Sequence, residues 1–268
     1  MTLQEFIAAG ESIGKTAGVL GGMHGYFLTH SPRLHHACER FGLFSNRLGN
    51  VLEIGPFYGY TPFLLQSFSS SYTVLEGDDP AVHPLAALYR ERKIALQFVD
   101  LFDLFGPTHS ATRKFPLSDS RFDTILCWET MEHLNFNPVP FVRELHRVLK
   151  PGGRVCITVP NKASFQNVAG LLAGRGEKAL IESYYTFENS ESGGKKAFYG
   201  FHWREYSAME LSSLFSRAGF HVQSCGTFNA FQNRAQLGVP RRMLRTLMKL
   251  AGSIYPRCRT HVFLGATR

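Results

Sequence analysis

The residues best equipped for chemistry in this 268-residue chain stand close together, at Glu129-Thr-Met-Glu132-His133. Carboxylates and an imidazole can remove the proton of a hydroxyl, or its pKa can be lowered by a bound metal ion. If the stretch opens a helix, positions i, i+3 and i+4 share one face and the three side chains point together. A further imidazole, His202 in the run YGFHWREYS, lies far downstream, so the fold must return it to the same place.

An earlier segment carries residues suited to a nucleotide. VLEIGPFYGYTPFLL reads as a strand, a glycine-bearing turn and a helix. Gly55 and Gly59 let backbone amides approach a ligand at the carboxyl end of that strand. The turn departs from G-x-G-x-x-G, with Phe57 and Tyr60 at its second and third glycine positions, so alone it reads equally as a tight turn. The next apolar run, in YTVLEGDD, ends at Glu76, twenty-one residues after Gly55. A carboxylate there can accept both hydroxyls of a ribose. The third, in LQFVDLFD, ends at Asp100, which can accept a hydrogen bond from an adenine amino group. Glycine turn, acid and acid at three successive strand tips make a stronger case than any one of them.

The elements that must position these residues alternate along the chain. Strands are expected at 51–54, 72–75, 96–99, 124–127, 154–159, 221–224 and 261–265. Helical patterns fall at 62–67, 81–93, 139–148 and 207–218, the last ended by Gly219 as a left-handed cap. Strand–helix alternation with continuous apolar strands predicts an α/β fold, a doubly wound parallel sheet covered on both faces. Residues 1–47 read as helical, with turns at Gly21-Gly22 and Ser31-Pro32. His30, His35 and His36 lie there and read as surface or lid residues. Residues 161–200 break the rhythm and are rich in Tyr and Phe.

The chain resembles the class I S-adenosylmethionine-dependent methyltransferases. The likeness is carried by VLEIGPFYG, Glu76, Asp100, FDTILCWETMEHL, ELHRVLKPGGRVCITVPN and REYSAMELSSLFSRAGF, in that family's order. It implies a seven-stranded, mostly parallel, Rossmann-like sheet with a reversed last strand. The methyltransferase domain would span 48–268, behind a helical lid at 1–47, with a lid insertion at 162–200 and a basic insertion at 228–259. The implied cofactor is S-adenosylmethionine. Glu53, Gly55, Phe57 and Gly59 would border its methionine moiety, Glu76 its ribose and Asp100 its adenine, with Leu101 and Cys127 completing the set. Phe57 stands where the family usually has its second glycine.

The implied reaction is methyl transfer to a hydroxyl of a small-molecule, sugar or lipid-linked acceptor, with His133 and His202 as candidate bases. E-x-x-E-H with a later histidine is also similar to two metal-using branches, the ubiquinone-biosynthesis O-methyltransferases and the small-RNA 3′-terminal 2′-O-methyltransferases. Carried over, Glu129, Glu132, His133 and His202 would hold a divalent cation, and mixed oxygen and nitrogen ligation suits Mg, Mn or Zn. The alternatives are a metal-free site in which the histidine is a base or a packed polar group, an RNA 2′-O-methyltransferase, and a nucleotide-binding module without catalysis, which Phe57 would suit.

Bulk properties narrow these readings. Apolar residues at 44% and charged residues at 19% exclude a disordered chain. The net charge of +8 is confined to the end: from Ala230 onward there are eight bases and no acids, while residues 1–229 hold 21 of each. A neutral body without a separate RNA-binding module argues against nucleic acid as a partner. PRRMLRTLMKLAGSIY could form a helix with Met243, Leu244, Leu247, Met248 and Ile254 on an apolar side and Arg241, Arg242, Arg245 and Lys249 around it. Such a helix packs on the sheet with a solvated basic face, or rests on an anionic membrane through 240–259. Tyr184, Tyr185, Phe187, Tyr199, Phe201 and Trp203 could stack on an acceptor or form a small core of their own. Five scattered cysteines without CxxC, no apolar run of membrane-spanning length and a start, MTLQEFIAAGES, without signal layout point to a reduced, cytoplasmic protein.

Overall fold

The computed structural model describes residues 1–18, 22–77, 83–106, 114–175, 201–230 and 239–268. Seven strands build one sheet: β1 (Gly49–Ile54), β2 (Ser69–Glu76), β3 (Ala95–Phe98), β4 (Phe122–Trp128), β5 (Leu149–Pro160), β6 (His221–Phe228) and β7 (His261–Thr267). Their order is β3-β2-β1-β4-β5-β7-β6. Neighbours run parallel except β7, which lies antiparallel to both β5 and β6. The mostly parallel α/β sheet read from the sequence is therefore present. Strand order reverses between β1 and β4, and the crevice outside their carboxyl ends is where such sheets receive ligands.

The helices are α1 (Leu3–Thr16), α2 (Gly22–Arg40), α3 (Thr61–Leu65), α4 (His83–Glu91), α5 (Leu101–Phe105), α6 (Pro138–Val148), α7 (Phe165–Leu172), α8 (Ala208–Arg217) and α9 (Val239–Ile254). Alternate strand residues feed two cores, because successive side chains leave a strand on opposite faces. Leu52, Ile125 and Ile157 pack against Phe141 of α6 and Phe215 of α8. Val51, Leu126 and Cys156 pack on the other face with Phe6 of α1, Phe27 and Leu34 of α2 and Tyr89 of α4. Both faces being covered explains why these strands read as continuous apolar runs.

Three expectations need correction. Ser31-Pro32 does not mark a turn: Pro32 lies inside α2. Proline removes the amide that would bond the Leu28 carbonyl, and the Ser31 hydroxyl donates to that same carbonyl at 3.2 Å. His35 is neither a surface nor a lid residue but is buried, its Nε2 2.9 Å from the Met1 carbonyl oxygen. The basic helix does not pack its apolar side inward as a unit. Met248 turns inward while Leu247 and Ile254 are exposed; the side chains of Arg241, Arg242, Met243 and Leu244 lie outside what is described. Tyr184, Tyr185, Phe187 and Tyr199 also fall outside the described residues.

Candidate active site

The glycine turn follows β1 directly. Gly55 has φ +63°, and a Cβ there would lie 2.9 Å from both Cγ2 and Oγ1 of Thr130, so the turn requires glycine. Phe57 also takes a left-handed conformation, at φ 47°. Its strain is offset locally: its amide donates to Glu76 Oε1 at 2.7 Å, and its ring meets Tyr26 of α2 edge-on at 5.1 Å. Glu76 is thus held at the tip of β2, buried, with its carboxylate against the turn. Asp100, just past β3, caps α5, its Oδ1 accepting from the amides of Phe102 and Asp103. Leu101 opens that helix, and Leu101 and Cys127 are both buried. Glu53 lies wholly inside, accepting from Thr61 Oγ1 at 2.5 Å and from the Tyr72 hydroxyl at 2.6 Å. Burial pushes its pKa up to about 7, against the lowering effect of those two hydroxyls.

The acid–histidine stretch does not form the expected α-helical face. Met131–His133 is a single 3₁₀ turn, and Glu129 precedes it at φ 48° in the left-handed region. The turn separates the two carboxylates. Glu129 Oε2 lies 3.3 Å from Arg33 Nη1 of α2 and 3.3 Å from His261 Nε2 of β7. Burial opposes its charge, but Arg33 first and His261 second outweigh that cost and hold the carboxyl below its ordinary range. Glu132 lies instead against the neighbouring imidazole, with Oε1 3.8 Å from His133 Nε2. Burial, and then the charge of Glu129, raise its pKa well above the carboxylate range.

The two histidines meet here. The His133 and His202 rings lie 4.9 Å apart, edge to face. His133 Nδ1 is 2.8 Å from the Phe201 carbonyl oxygen, which can only accept, so Nδ1 carries the proton and Nε2 the lone pair. Burial and then His202 bring the His133 pKa down to about 4, leaving the ring neutral at pH 7. His202 Nδ1 stands 3.2 Å from Glu205 Oε1, whose other oxygen accepts from Asn167 Nδ2 of α7 at 2.6 Å. The amide of Trp203 donates to the Glu132 carbonyl at 2.7 Å, tying the returning segment onto the 3₁₀ turn.

Of the four residues expected to bind a cation together, Glu132, His133 and His202 bring ligand atoms within 4.8 Å of one another. Glu129 stands apart, paired with Arg33 and His261. Both Glu129 oxygens and Glu132 Oε2 are buried without a hydrogen-bond partner among the described residues.

Arg33, His261, Glu205 and Asn167 were not anticipated. Tyr26, His30 and Arg33 recur at i, i+4 and i+7 on α2, a spacing that places them on one face. His261 is the first residue of β7 and reaches the carboxyl end of the sheet only because β7 runs backwards, paired there with Pro160.

Residues 27–224 match the methyltransferase domain family, and the chain belongs to it. A protein of Mycolicibacterium smegmatis named as a probable S-adenosylmethionine-dependent methyltransferase is 27% identical over 181 residues, 67% of this chain and 55% of that one. One of the same description from Mycobacterium tuberculosis is 26% identical over 181 residues, 67% of this chain and 52% of its own. The chain thus spans about half the length of the curated relatives it matches. Among solved structures, an S-adenosylmethionine-dependent methyltransferase from Mesorhizobium loti superposes with a TM-score of 0.54 at 15% identity, covering 90% of this chain and 98% of its own. The cyclase SpnF does so at 0.51 and 18% identity, covering 89% and 80%. These likenesses establish the fold, and the site must decide the reaction.

Proposed function

We propose that the protein transfers the methyl group of S-adenosylmethionine to a hydroxyl of a small-molecule, sugar or lipid-linked acceptor, with His133 as the proton acceptor. The observation that carries this reading is the fixed tautomer of His133, whose Nδ1 is spent on the Phe201 carbonyl and whose Nε2 keeps its lone pair. The cofactor, when bound, supplies an electrophilic methyl group on a sulfonium. The residues present fit it. Glu76 offers a buried carboxylate at the β2 tip for the ribose hydroxyls, beside the Gly55 turn. Asp100 would take the adenine amino group on the oxygen not used in capping α5, and Phe57 and Gly59 would line the methionine moiety.

Methyl displacement needs a lone pair on the acceptor oxygen, held in line, and the site supplies this by positioning and proton removal. His133 Nε2 receives the acceptor proton. His202, anchored through Nδ1 to Glu205, flanks the acceptor oxygen. A transfer assay with radiolabelled S-adenosylmethionine and panels of phenols, sugars and extracted lipids tests the reading. Labelled product that is lost in His133→Ala supports it, and product formed equally by that variant contradicts it.

A second reading has its own support: Glu132, His133 and His202 could hold a divalent cation, Mg, Mn or Zn, that lowers the pKa of the acceptor hydroxyl. The clustered ligand atoms and the unpartnered Glu132 oxygen fit one. The two readings compete for the same His133 nitrogen. Zn or Mn titrated calorimetrically into the protein, with loss of binding in Glu132→Gln and of activity under chelator, would favour the cation. No uptake and unchanged activity would favour the base.

A further inference from the structure

Helices of soluble domains usually bury an apolar stripe, yet α7, FQNVAGLL, buries none of its residues. It packs beside α9, which turns only Met248 and Gly252 inward along its described part. The side chains of Leu171, Leu172, Leu247, Leu250, Ile254 and Tyr255 are between 55% and 84% exposed. Two adjacent helices therefore show water a concentration of aliphatic groups with a tyrosine at its end. Surfaces of this kind mark contact with another phase or partner.

Bases outnumber acids around them. Lys162 and Arg175 flank α7, and Arg245, Lys249 and Arg257 lie on or just after α9. No acid occurs from 162 to 175, or anywhere after Glu210. We propose that the α7–α9 face docks on an anionic lipid bilayer. Its apolar residues enter the headgroup boundary and its bases meet lipid phosphates. A nucleic acid would leave the aliphatic centre uncovered. A symmetric pairing of two copies would set the bases of α9 against one another, and no acid follows Glu210 in the sequence.

The face is joined to the site. Asn167 of α7 donates to Glu205, which holds His202. Asn161, just before α7, donates to the carbonyls of Arg257 and Arg259 beyond α9. Docking would thus present the His202 side of the crevice to the membrane surface, where an amphiphilic acceptor resides. The proposal does not depend on methyl transfer, since vesicle binding needs neither cofactor nor acceptor.

The test is co-sedimentation with vesicles of phosphatidylcholine alone, or with about 30% phosphatidylglycerol, at low and high salt. Binding to the anionic vesicles only, reduced about tenfold or more by salt and by the pair Leu172→Glu and Leu250→Glu, is expected. Because both positions are exposed, the pair should keep the wild-type urea midpoint, and the single variant Lys249→Glu should weaken binding in the same direction. Equal binding to both vesicles, no binding to either, or binding that survives the paired substitutions overturns the proposal. So does concentration-dependent self-association, or RNA binding, in a protein that ignores the vesicles.

Discussion

At the β1–β2–β3 side of the crevice each functional residue sits at the tip of its own strand, where backbone amides meet it. Glu76 is met by the Phe57 amide, and Asp100 by the amides of the helix it caps. At the β4–β5–β7 side the residues come from everywhere: Arg33 from α2, Glu129 and Glu132 around one turn, His202 from beyond 200, His261 from the reversed strand. The first side is built of backbone geometry, which any correctly wound sheet reproduces. The second is a buried set of charges and imidazoles that exists only when α2, the 3₁₀ turn and β7 are all in place. Cofactor binding and acceptor chemistry should therefore fail separately, and the charged side should weigh more on stability.

Substitutions at His133 probe the chemistry. His133→Ala is expected to lower kcat about 10²- to 10⁴-fold, the range for a lost general base, while affinity for S-adenosylhomocysteine stays unchanged. A matching fall in cofactor affinity would show that the two sides are not separable. Next comes Arg33→Met, which leaves Glu129 buried without its main counter-charge. A loss of about 3 to 5 kcal/mol in urea unfolding is expected, largely recovered when Glu129→Gln is added. Full stability in the single variant would remove Arg33 from the account.

Glu53 supplies a pH test on the strand-tip side. Its pKa is about 7 in the folded protein against an ordinary 4.5. Between those values the unfolded chain has released the proton and the folded one retains it, so folding stability falls as pH rises. Glu53→Gln should remove this loss, worth about 3 kcal/mol above pH 7 and vanishing near pH 4.5. Urea midpoints across that window that move in parallel for both proteins would contradict the assignment.

Legibility in the sequence followed the same division. The apolar runs foretold the sheet because its strands are buried on both faces, and Glu76 and Asp100 were visible as the first acids after such runs. Glu129, Glu132 and His133 were visible as a cluster, but not their divergence. That depends on Glu129 adopting a positive φ, which no glutamate advertises. Arg33 could have been suspected from its spacing with Tyr26 and His30. His261 could not, because its position depends on the direction of β7. Glu205 and Asn167 looked like ordinary polar residues until the fold placed them behind His202.

The smallest substitution effect expected bears on the central claim, that the strand tips hold S-adenosylmethionine. Titration calorimetry with S-adenosylmethionine and with S-adenosylhomocysteine should show one site per chain, with affinity reduced about tenfold to a hundredfold by Glu76→Ala through loss of charge-assisted hydrogen bonds. Absence of binding by the wild-type protein, or unchanged affinity in Glu76→Ala, would contradict it.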